Sequence, residues 1–564
     1  MIKKAFYIFI LSLLAVGCED FLNVVDYTQK SSQSFPLTYE DCNQALAGAY
    51  SCLDFGDPVS PFTLGALASD DALGGSAPFS DRAHSSDRWR KYSPNMVRDF
   101  WRDAYKGIFR ANKLRESLDQ VDFDDESQRD LVMGECYFLR GYIYSELAKV
   151  FGEVPLVLTA KEPLNLPKAP ANELYAQIAF DLKNAIELLP SERYDTDPER
   201  YGHATKWAAE AVMAKVFLFY TGYYNQTELP LPDGGNITKE MVIAYLDDLM
   251  ASSGHGLVED YRNLWPYTNE HSKEDYPYTI GKDLQWAGES NKEVVWSGKH
   301  GYTGNYDAPQ NNLIPRFFGI RGQHGNTVFP FGWGYGFGPV NPRMVEQWIE
   351  DEPYDTIRRW GSIYDMDHPR EGARNYFNND PMVEETGYYQ KKYSRLLVYT
   401  DKSAEDTSDW EYDYYDNVVH GYATSGITSQ EMIFIRFADV LLMHSELTQT
   451  PGGINRVRER AGLAPVAYSF ENLERERRYE LAFEAIRYWD LLRWYGKEAG
   501  VLIDQNQNGV PVKDLDIPNI YQADLGVRIR ATGGFMQIPE SEITLSDGVL
   551  TQNEGWTTAE ADLE

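Results

Sequence analysis

The chain of 564 residues is long enough for two or three domains, or for one large helical scaffold with insertions. Its composition, 43% hydrophobic and 25% charged, is that of a globular protein with a large core. The 86 acidic residues outnumber the 53 basic ones and leave a net charge of −33, which argues against nucleic acid as a partner because both would be strongly negative.

The N-terminus has the form of an export signal. Lys3-Lys4 precedes an apolar run, Ala5 to Gly17, that is too short to span a bilayer comfortably. The run closes on Leu14-Ala15-Val16-Gly17-Cys18, which resembles a bacterial lipobox except that Ala15 stands where a larger aliphatic residue is typical. Glu19-Asp20 follows and resembles the acidic signal that sends Bacteroidetes lipoproteins to the cell surface.

We therefore predict a lipoprotein leader and a lipidated tether. Residues 1–17 form the signal peptide, Cys18 becomes the lipidated first residue of the mature chain, and residues 18–36 form the tether. The expected location is the outer membrane, with the lipid-anchored body facing the cell exterior. An ordinary signal peptide that ends near a cysteine is the alternative.

Helical periodicity dominates from Thr38 to about residue 260. Thr38 and Asp41 form a capping-box-like start for a helix that runs to about Tyr50. Residues 56–94 then show little periodicity and predict a long irregular excursion. Beyond it, apolar stripes predict helices over residues 100–118, 131–151, 174–189, 207–220 and 241–249.

The stretch from Gly134 to Leu158 is the most distinctive of these helical segments. Small residues, among them Gly134 and Gly141, alternate with large apolar ones, which favours close approach of a second helix. The helix is predicted to end at Phe151-Gly152. Amphipathic helices joined by short loops resemble tetratricopeptide-type pairs in their packing pattern, although no strict repeat of that consensus is visible.

The helical rhythm stops between about residues 261 and 341. Short β-like runs such as Glu293–Trp296, and a stretch dense in glycine and aromatic residues, favour irregular structure there. The tail after Lys497 has the composition of loops. Between these two regions, helices are predicted over residues 344–349, 433–446 and 454–462, with one long helix over 470–495 that carries its charges on polar sides.

Sequence blocks of a known family recur in order along the chain. They are Trp101–Asn112, Gly134–Gly141, Val150–Leu156, Ala204–Ala209, Ile435–Met443, Ile454–Leu463, Glu476–Glu484, Arg487–Arg493, and Gln537–Glu540 with Gln552-Asn553. Each block alone is weakly specific. Together and in this order they resemble the SusD/RagB family of Bacteroidetes outer-membrane lipoproteins, from Cys18 nearly to the C-terminus.

The resemblance implies a mainly α fold, in which a right-handed superhelix of tetratricopeptide-like helix pairs carries a large irregular, loop-rich region. It implies one domain over residues 37–564. Within it, we expect the helical scaffold at about 37–260 and 431–500, the irregular ligand-binding region at about 261–430, and a C-terminal loop segment at 501–564.

The same resemblance implies a role in glycan import. Members of the family cap a TonB-dependent transporter of the SusC type and help to capture an oligosaccharide; they are binding proteins and not enzymes. We therefore expect a glycan ligand and a SusC-type transporter as partners. A peptide-capturing, RagB-like role is the alternative.

A glycan site needs exposed aromatic rings for stacking, with Asp, Asn, Arg or Gln beside them to bond sugar hydroxyls. The predicted glycan-binding residues are Asp70, Asp71, Trp89, Arg90 and Tyr92 from a first loop region, Trp296, Tyr302, Tyr306, Trp333 and Tyr335 from a second, and Asp41 and Asn43 from the first helix. Trp89 and Trp333 are expected to be exposed. Burial stays open for Trp296, and a purely structural first turn is the competing interpretation for Asp41 and Asn43.

Catalytic and metal motifs are weak by comparison. No nucleophile elbow, zinc motif or phosphate loop stands out, so no catalytic residue is predicted, and a glycosidase with two carboxylates is the least favoured alternative. Asp504, Asn506 and Asn508 match the opening of a calcium loop whose twelfth position is Leu515 instead of glutamate. We expect no cofactor, with structural Ca²⁺ at these three residues as an alternative. No residue distinguishes starch-like oligosaccharides from fructan or other glycans.

Overall fold

The computed structural model of the chain describes residues 35–53, 60–163, 165–193, 200–301, 311–321, 329–372, 382–398, 412–419 and 428–556. The predicted signal peptide, Cys18, nearly all of the tether, Tyr302 and Tyr306 lie outside the described residues. Within those ranges, no helix combines the length and the apolar character that crossing a bilayer requires.

The first half of the chain is built from helices. They are α1 (Tyr39–Tyr50), α2 (Pro61–Leu67), α3 (Asp81–Arg88), α4 (Arg98–Ser117), α5 (Glu126–Phe151), α6 (Ala171–Leu188), α7 (Lys206–Tyr223) and α8 (Lys239–Ser252). From α4 to α8 each helix packs against the next along the chain, and α1 packs against both α4 and α5. The start of α1 is as predicted, because the Thr38 hydroxyl accepts the backbone N–H of Asp41.

Helix α5 confirms the predicted close approach of two helices. It ends at Gly152, whose φ of 70° is the left-handed conformation that glycine tolerates best. A Cβ atom added to Gly141 would lie 3.1 Å from the Cβ of Asp181 on α6, tighter than ordinary contact. Arg140 crosses the same interface and donates to both carboxylate oxygens of Asp181, at 2.8 and 2.6 Å. The small residues therefore bring α6 close enough for this buried ion pair.

The irregular excursion predicted over residues 56–94 is wrong in part, since it contains α2 and α3. Ser60 caps α2 through its hydroxyl, and Pro61 occupies the first helical position, where its missing N–H costs nothing. Both helices are short; α2 is almost wholly apolar in sequence and α3 almost wholly polar, so neither shows the alternation of apolar and polar faces from which a helix could be recognised.

The second half mixes short helices with two-stranded antiparallel sheets. The helices are α9 (Ile314–Phe318), α10 (Pro342–Asp351), α11 (Thr356–Ser362), α12 (Phe437–Thr448), α13 (Gly452–Arg460), α14 (Phe470–Glu480), α15 (Arg487–Tyr495), α16 (Ala499–Gln507), α17 (Leu525–Thr532) and α18 (Glu540–Leu545). The strand pairs are β1 (Leu229–Pro230) with β2 (Asn236–Ile237), β3 (Val294–Gly298) with β8 (Met432–Arg436), β4 (Ile363–Asp365) with β5 (Tyr388–Gln390), β6 (Leu397–Val398) with β7 (Tyr412–Asp413), and β9 (Pro511–Asp514) with β10 (Ile517–Ile520).

Three predictions about these elements are wrong. Residues 432–436 form β8, not the start of a helix, because they pair with the predicted β-like run that is now β3. The long helix over 470–495 breaks between α14 and α15, where Phe483 and Ala485 have φ values of 63° and 58°. The tail beyond Lys497 is not loop-like, because α16 to α18 and a β-hairpin occupy it and Ile529, Met536 and Ile538 are buried in the main core.

Two large hydrophobic cores, with two smaller clusters beside them, lie within the described ranges. The main core joins the helices of the first half to α12–α17, and a second, aromatic core fills the region between residues 258 and 433. Several tyrosines of the second core have their hydroxyls satisfied internally; Tyr261 bonds Ser362 at 2.9 Å and Tyr267 donates to the Gly361 carbonyl at 2.8 Å. Much of the high aromatic content is therefore structural.

Adjacent glycines at the start of α13 provide a test of the scaffold packing. We expect Gly453→Ala to lower the unfolding free energy by about 2 kcal/mol, because its Cβ would overlap the Leu441 carbonyl oxygen of α12. Gly452→Ala is the matched control in the same helix, since no atom lies within 4 Å of its added Cβ. Thermal unfolding of both variants checks this, and equal midpoints would contradict the close α12–α13 contact.

Candidate functional site

Asp70 and Asp71 lie inside the protein and not on a loop surface. Asp70 is fully buried, with its carboxylate 2.8 Å from Nε of Arg487 and 3.2 Å from Nη2 of Arg478. Asp71 pairs with Arg478 at 2.8 Å. Burial opposes ionisation of Asp70, but the two arginines hold its pKa below its ordinary value. These carboxylates join the segment after α2 to α14 and α15, so their prediction as glycan contacts is wrong.

Trp89 is likewise a core residue, and the expectation that it is exposed is wrong. Its ring is fully buried 5.1 Å from the ring of Tyr488, and its indole N–H donates to the Phe535 carbonyl at 3.3 Å. Trp89 ends α3 in a left-handed conformation that turns the ring inward. Arg90 and Tyr92 are half-buried beside it, and Tyr92 packs against the main core.

Trp296 is buried in β3, so its role is structural. Its ring lies edge-on to Phe138 and Tyr142 of α5, with centroids 4.8 and 4.3 Å away, and 4.9 Å from Phe434 of β8. It therefore joins β3 and β8 to the helical scaffold, and its prediction as a glycan contact is wrong.

The two polar residues on α1 differ in their surroundings. Asp41 is buried, and its carboxylate accepts the backbone N–H of Leu37 at 3.0 Å, which supports the structural interpretation. Asn43 is half-buried, and a contact with ligand stays a prediction for it.

The predicted calcium ligands do not form a loop. Asp504 and Asn506 lie on α16, where Asp504 accepts the backbone N–H groups of Leu525 and Gly526 and so caps α17. Asn506 donates to Asp70, and Asn508 exchanges hydrogen bonds with the backbone of Ala523. A calcium loop needs its oxygens turned towards one point. Here they serve three different contacts, and the described ranges contain no cluster of three or more His, Cys, Asp or Glu suited to a metal.

Trp333 and Tyr335 form a half-buried aromatic pair, so Trp333 reaches solvent but is less exposed than expected. Their ring centroids are 5.3 Å apart at a steep angle of 66°. Arg316 of α9 extends over both rings, with its guanidinium carbon 4.3 Å from the Trp333 centroid and 5.4 Å from that of Tyr335. Backbone pairing holds the arrangement, because the Tyr335 N–H donates to the Arg316 carbonyl at 2.8 Å. The pair combines stacking surface with a guanidinium donor.

A second aromatic group lies on the other side of β6. Trp286, also half-buried, has its centroid 6.1 Å from that of Tyr414, which follows β7 directly and lies buried beneath it in the second core. Burial raises the pKa of Tyr414 to about 12, so its hydroxyl is neutral in the physiological range. Phe331 bridges to Leu396 beside β6, and β6 pairs with β7. Two strand spacings, about 10 Å, therefore separate the backbone of Phe331, two residues before Trp333, from that of β7, which Tyr414 follows.

We call Trp333, Tyr335, Arg316, Trp286 and Tyr414 together the aromatic platform. Its members come from four stretches of chain that lie far apart in sequence and are brought together by the pairing around β6 and by the contact of Tyr335 with Arg316. Sequence composition finds the region and two of its rings. It does not show that Arg316 lies over Trp333 or that Tyr414 lies beside Trp286, because composition carries no information on which loops become neighbours.

Comparisons with known proteins agree with this fold. A family model described as starch-binding and associating with the outer membrane matches residues 20–218, and the model of the SusD family matches residues 292–556. The SusD-like proteins P38 and P2 of Formosa agariphila are 23% and 25% identical over 515 and 520 residues, which span 86% and 87% of this chain and 90% of each relative.

Solved structures give the same result for the fold. A laminarin binding SusD-like protein matches with a TM-score of 0.67 at 23% identity, over 92% of this chain and 99% of that one. The surface glycan-binding protein A from Bacteroides thetaiotaomicron in complex with laminarihexaose matches with a TM-score of 0.66 at 19% identity, over 92% and 99%. The predicted fold class, mainly α with tetratricopeptide-like helix pairs, is confirmed. The matched family models lie in order along most of the chain, and the protein belongs to the SusD/RagB family.

Proposed function

We propose that this protein is a cell-surface lipoprotein that binds an oligosaccharide on the aromatic platform and delivers it to a SusC-type TonB-dependent transporter. The observation that carries the proposal is the pair Trp333–Tyr335, half-buried under Arg316. Family membership and the form of the N-terminus support the surface location, the lipid on Cys18 and the transporter partner.

The platform suits the chemistry of a sugar. Indole and phenol rings stack on the C–H faces of pyranose units, and a guanidinium or a phenol donates to hydroxyl groups at the ring edge. Two aromatic groups on opposite sides of β6 favour an extended sugar chain over a single monosaccharide. The acidic surface of the whole chain, at −33, favours a neutral glycan over a polyanionic one.

Calorimetric titration of the mature protein with laminarihexaose, maltohexaose and a fructan oligosaccharide tests the proposal. Laminarihexaose comes first because it is the ligand in one structural neighbour. We expect Trp333→Ala to weaken binding of the preferred glycan at least tenfold, a loss of about 1.4 kcal/mol or more, with no change in melting temperature.

Trp494→Ala is the matched control for that variant. Trp494 is half-buried, and Arg493 lies 4.6 Å from its ring centroid, much as Arg316 lies over Trp333. Glycan affinity unchanged by Trp333→Ala, or reduced equally by both variants, would contradict a site on the platform. Binding of peptides and of no glycan would favour the RagB-like alternative.

We also propose that the protein does not cleave its ligand. The glycan-binding roles of its structural neighbours support this. Overnight incubation of purified protein with the preferred polysaccharide is expected to release no reducing ends, and steady release would revive the glycosidase alternative.

A further inference from the structure

A cleft in the helical scaffold shares no residue with the aromatic platform. It lies between α5, α7, β8 and α15, has a cavity volume of about 130 Å³ and opens to solvent. One water molecule needs about 10–15 Å³ on the same measure, so the cleft can hold several waters or one small organic molecule. The cleft therefore has room for a ligand of its own.

The walls of the cleft are mainly apolar and aromatic. Tyr142, Phe219, Phe434 and Trp489 line it, and Tyr142, Phe219 and Trp489 are themselves buried in the main core. Rings and aliphatic side chains of this kind bury the apolar body of a ligand. They offer few hydrogen-bond partners to a sugar, whose hydroxyls would lose water without replacement.

The deeper charges of the cleft already satisfy one another. Arg477 and Arg493 both pair with Asp490, at 2.7 and 2.9 Å, and Arg493 also pairs with Glu446 at 2.5 Å. These groups form a neutral polar floor.

Two lysines at the cleft are more exposed than the charged groups of that floor. Lys149 of α5 has one carboxylate partner among the described residues, Glu146 at 2.6 Å, and its Nζ lies 5.0 Å from the Trp489 ring centroid. Lys215 of α7 lies 3.3 Å from a carboxylate oxygen of Asp439 and 3.3 Å from the Phe434 carbonyl. An ammonium group has three donors, so both lysines keep donor capacity.

The two lysines also affect each other. Burial lowers the pKa of Lys149, the Glu146 carboxylate opposes this shift, and the positive charge of Lys215 adds to it. The side chain of Lys149 is 20% exposed and that of Lys215 is 33% exposed, so a ligand that enters from solvent reaches both. An anion between two ammonium groups relieves their repulsion and gains charge-assisted hydrogen bonds.

From these observations we infer that the cleft binds a small apolar carboxylic acid. Its hydrocarbon or aromatic body packs between Phe219, Phe434 and Trp489, and its carboxylate bonds Lys149 and Lys215. This binding is independent of the glycan site, since the two sites have no residue in common.

Titration of the mature protein with 3-phenylpropanoate tests the inference, with 3-phenylpropanamide as the uncharged probe. We expect saturable calorimetric binding of the carboxylate with a Kd below about 1 mM, and binding of the amide at least about tenfold weaker. Lys149→Met and Lys215→Met are each expected to weaken binding of the carboxylate about tenfold and to leave glycan affinity unchanged.

Lys183→Met is the matched control. Lys183 lies on α6, is 37% exposed and pairs with Glu187 at 2.9 Å, outside the cleft. Ala485→Trp, which fills the cleft with an indole, is expected to abolish binding without removing a charge. Absence of binding in the wild type, equal affinity for acid and amide, or equal losses in Lys149→Met and Lys183→Met would each overturn the inference.

Discussion

Replacing Glu480 by glutamine is expected to lower the unfolding free energy by about 3–5 kcal/mol. Glu480 is fully buried and faces three arginines, so its loss leaves positive charge in the interior without compensation. Glutamine keeps the shape and one acceptor, which confines the change to the charge. Thermal and denaturant unfolding of the purified variant, compared with the wild type, measure the effect.

The ion-pair network around Glu480 explains why the expected loss of unfolding free energy is large. Arg436 of β8 lies 2.5 Å from Glu480 and 2.8 Å from Glu293, the residue before β3. Arg358 of α11 lies 3.3 Å from Glu480, and Arg460 of α13 bonds it as well. One carboxylate at the end of α14 therefore ties a strand and two helices together. Because this network connects the helical scaffold to the irregular region, we expect Glu480→Gln to destabilise both regions.

The pH dependence of the Glu480→Gln effect follows from the sign of its pKa shift. Burial opposes ionisation, but the arginines hold the pKa of Glu480 far below its ordinary value. A depressed pKa stabilises the folded state above the pKa of the unfolded chain, about 4.3, and that stabilisation is lost as the pH falls towards the folded value. The difference between wild type and Glu480→Gln is therefore expected to be full at pH 7 and to shrink below about pH 4.

Glu498→Gln is the control for this prediction. Glu498 pairs with Arg530 at 2.6 Å, but both side chains are more than half exposed, so we expect no measurable change. A similar small effect in Glu480→Gln, or a difference that grows at acid pH, would contradict the structural role of the network.

The helical scaffold could be predicted because its residues interact within single helices. The Thr38 cap, the stop at Gly152 and the close contact at Gly141 all follow from local chemistry, and the structure has each of them. The strand over residues 432–436 was harder to predict, because it forms by pairing with Val294–Gly298, more than a hundred residues earlier in the chain. Periodicity in one segment carries no record of such a partner.

Prediction of the candidate site from sequence was limited in the same way, because it also depends on contacts between distant segments. Asp70 and Trp89 have the residue types of a glycan site and lie in a segment without clear periodicity, yet both are buried. Their partners, Arg487 and the Phe535 carbonyl, are some four hundred residues away in the chain. Trp333 sits in a similar sequence context and is only half-buried. Composition can distinguish a loop from a helix. It cannot predict whether a loop residue is exposed, because that depends on which distant segment covers the loop.

Trp89→Ala is the second large effect that we expect, a loss of about 3–5 kcal/mol in unfolding free energy. The ring fills a fully buried position against Tyr488, and its N–H bonds the Phe535 carbonyl, while the Arg528 side chain donates to the Trp89 carbonyl at 3.0 Å. Alanine would leave a cavity between α3, α15 and the C-terminal segment. Hydrogen exchange should therefore rise around residues 525–536 before it rises in α5.

Trp89→Phe separates packing from hydrogen bonding at the same position. Phenylalanine keeps most of the buried ring and removes the N–H, so we expect a loss of about 1–2 kcal/mol, well below that of alanine. Glycan affinity of the folded Trp89→Phe protein should match the wild type, because the residue lies away from solvent. A stable Trp89→Ala protein that has lost glycan binding would instead place Trp89 on the ligand surface and contradict the buried position. The contrast with Trp333→Ala, which is expected to remove affinity and leave stability unchanged, assigns one tryptophan to the fold and the other to the ligand.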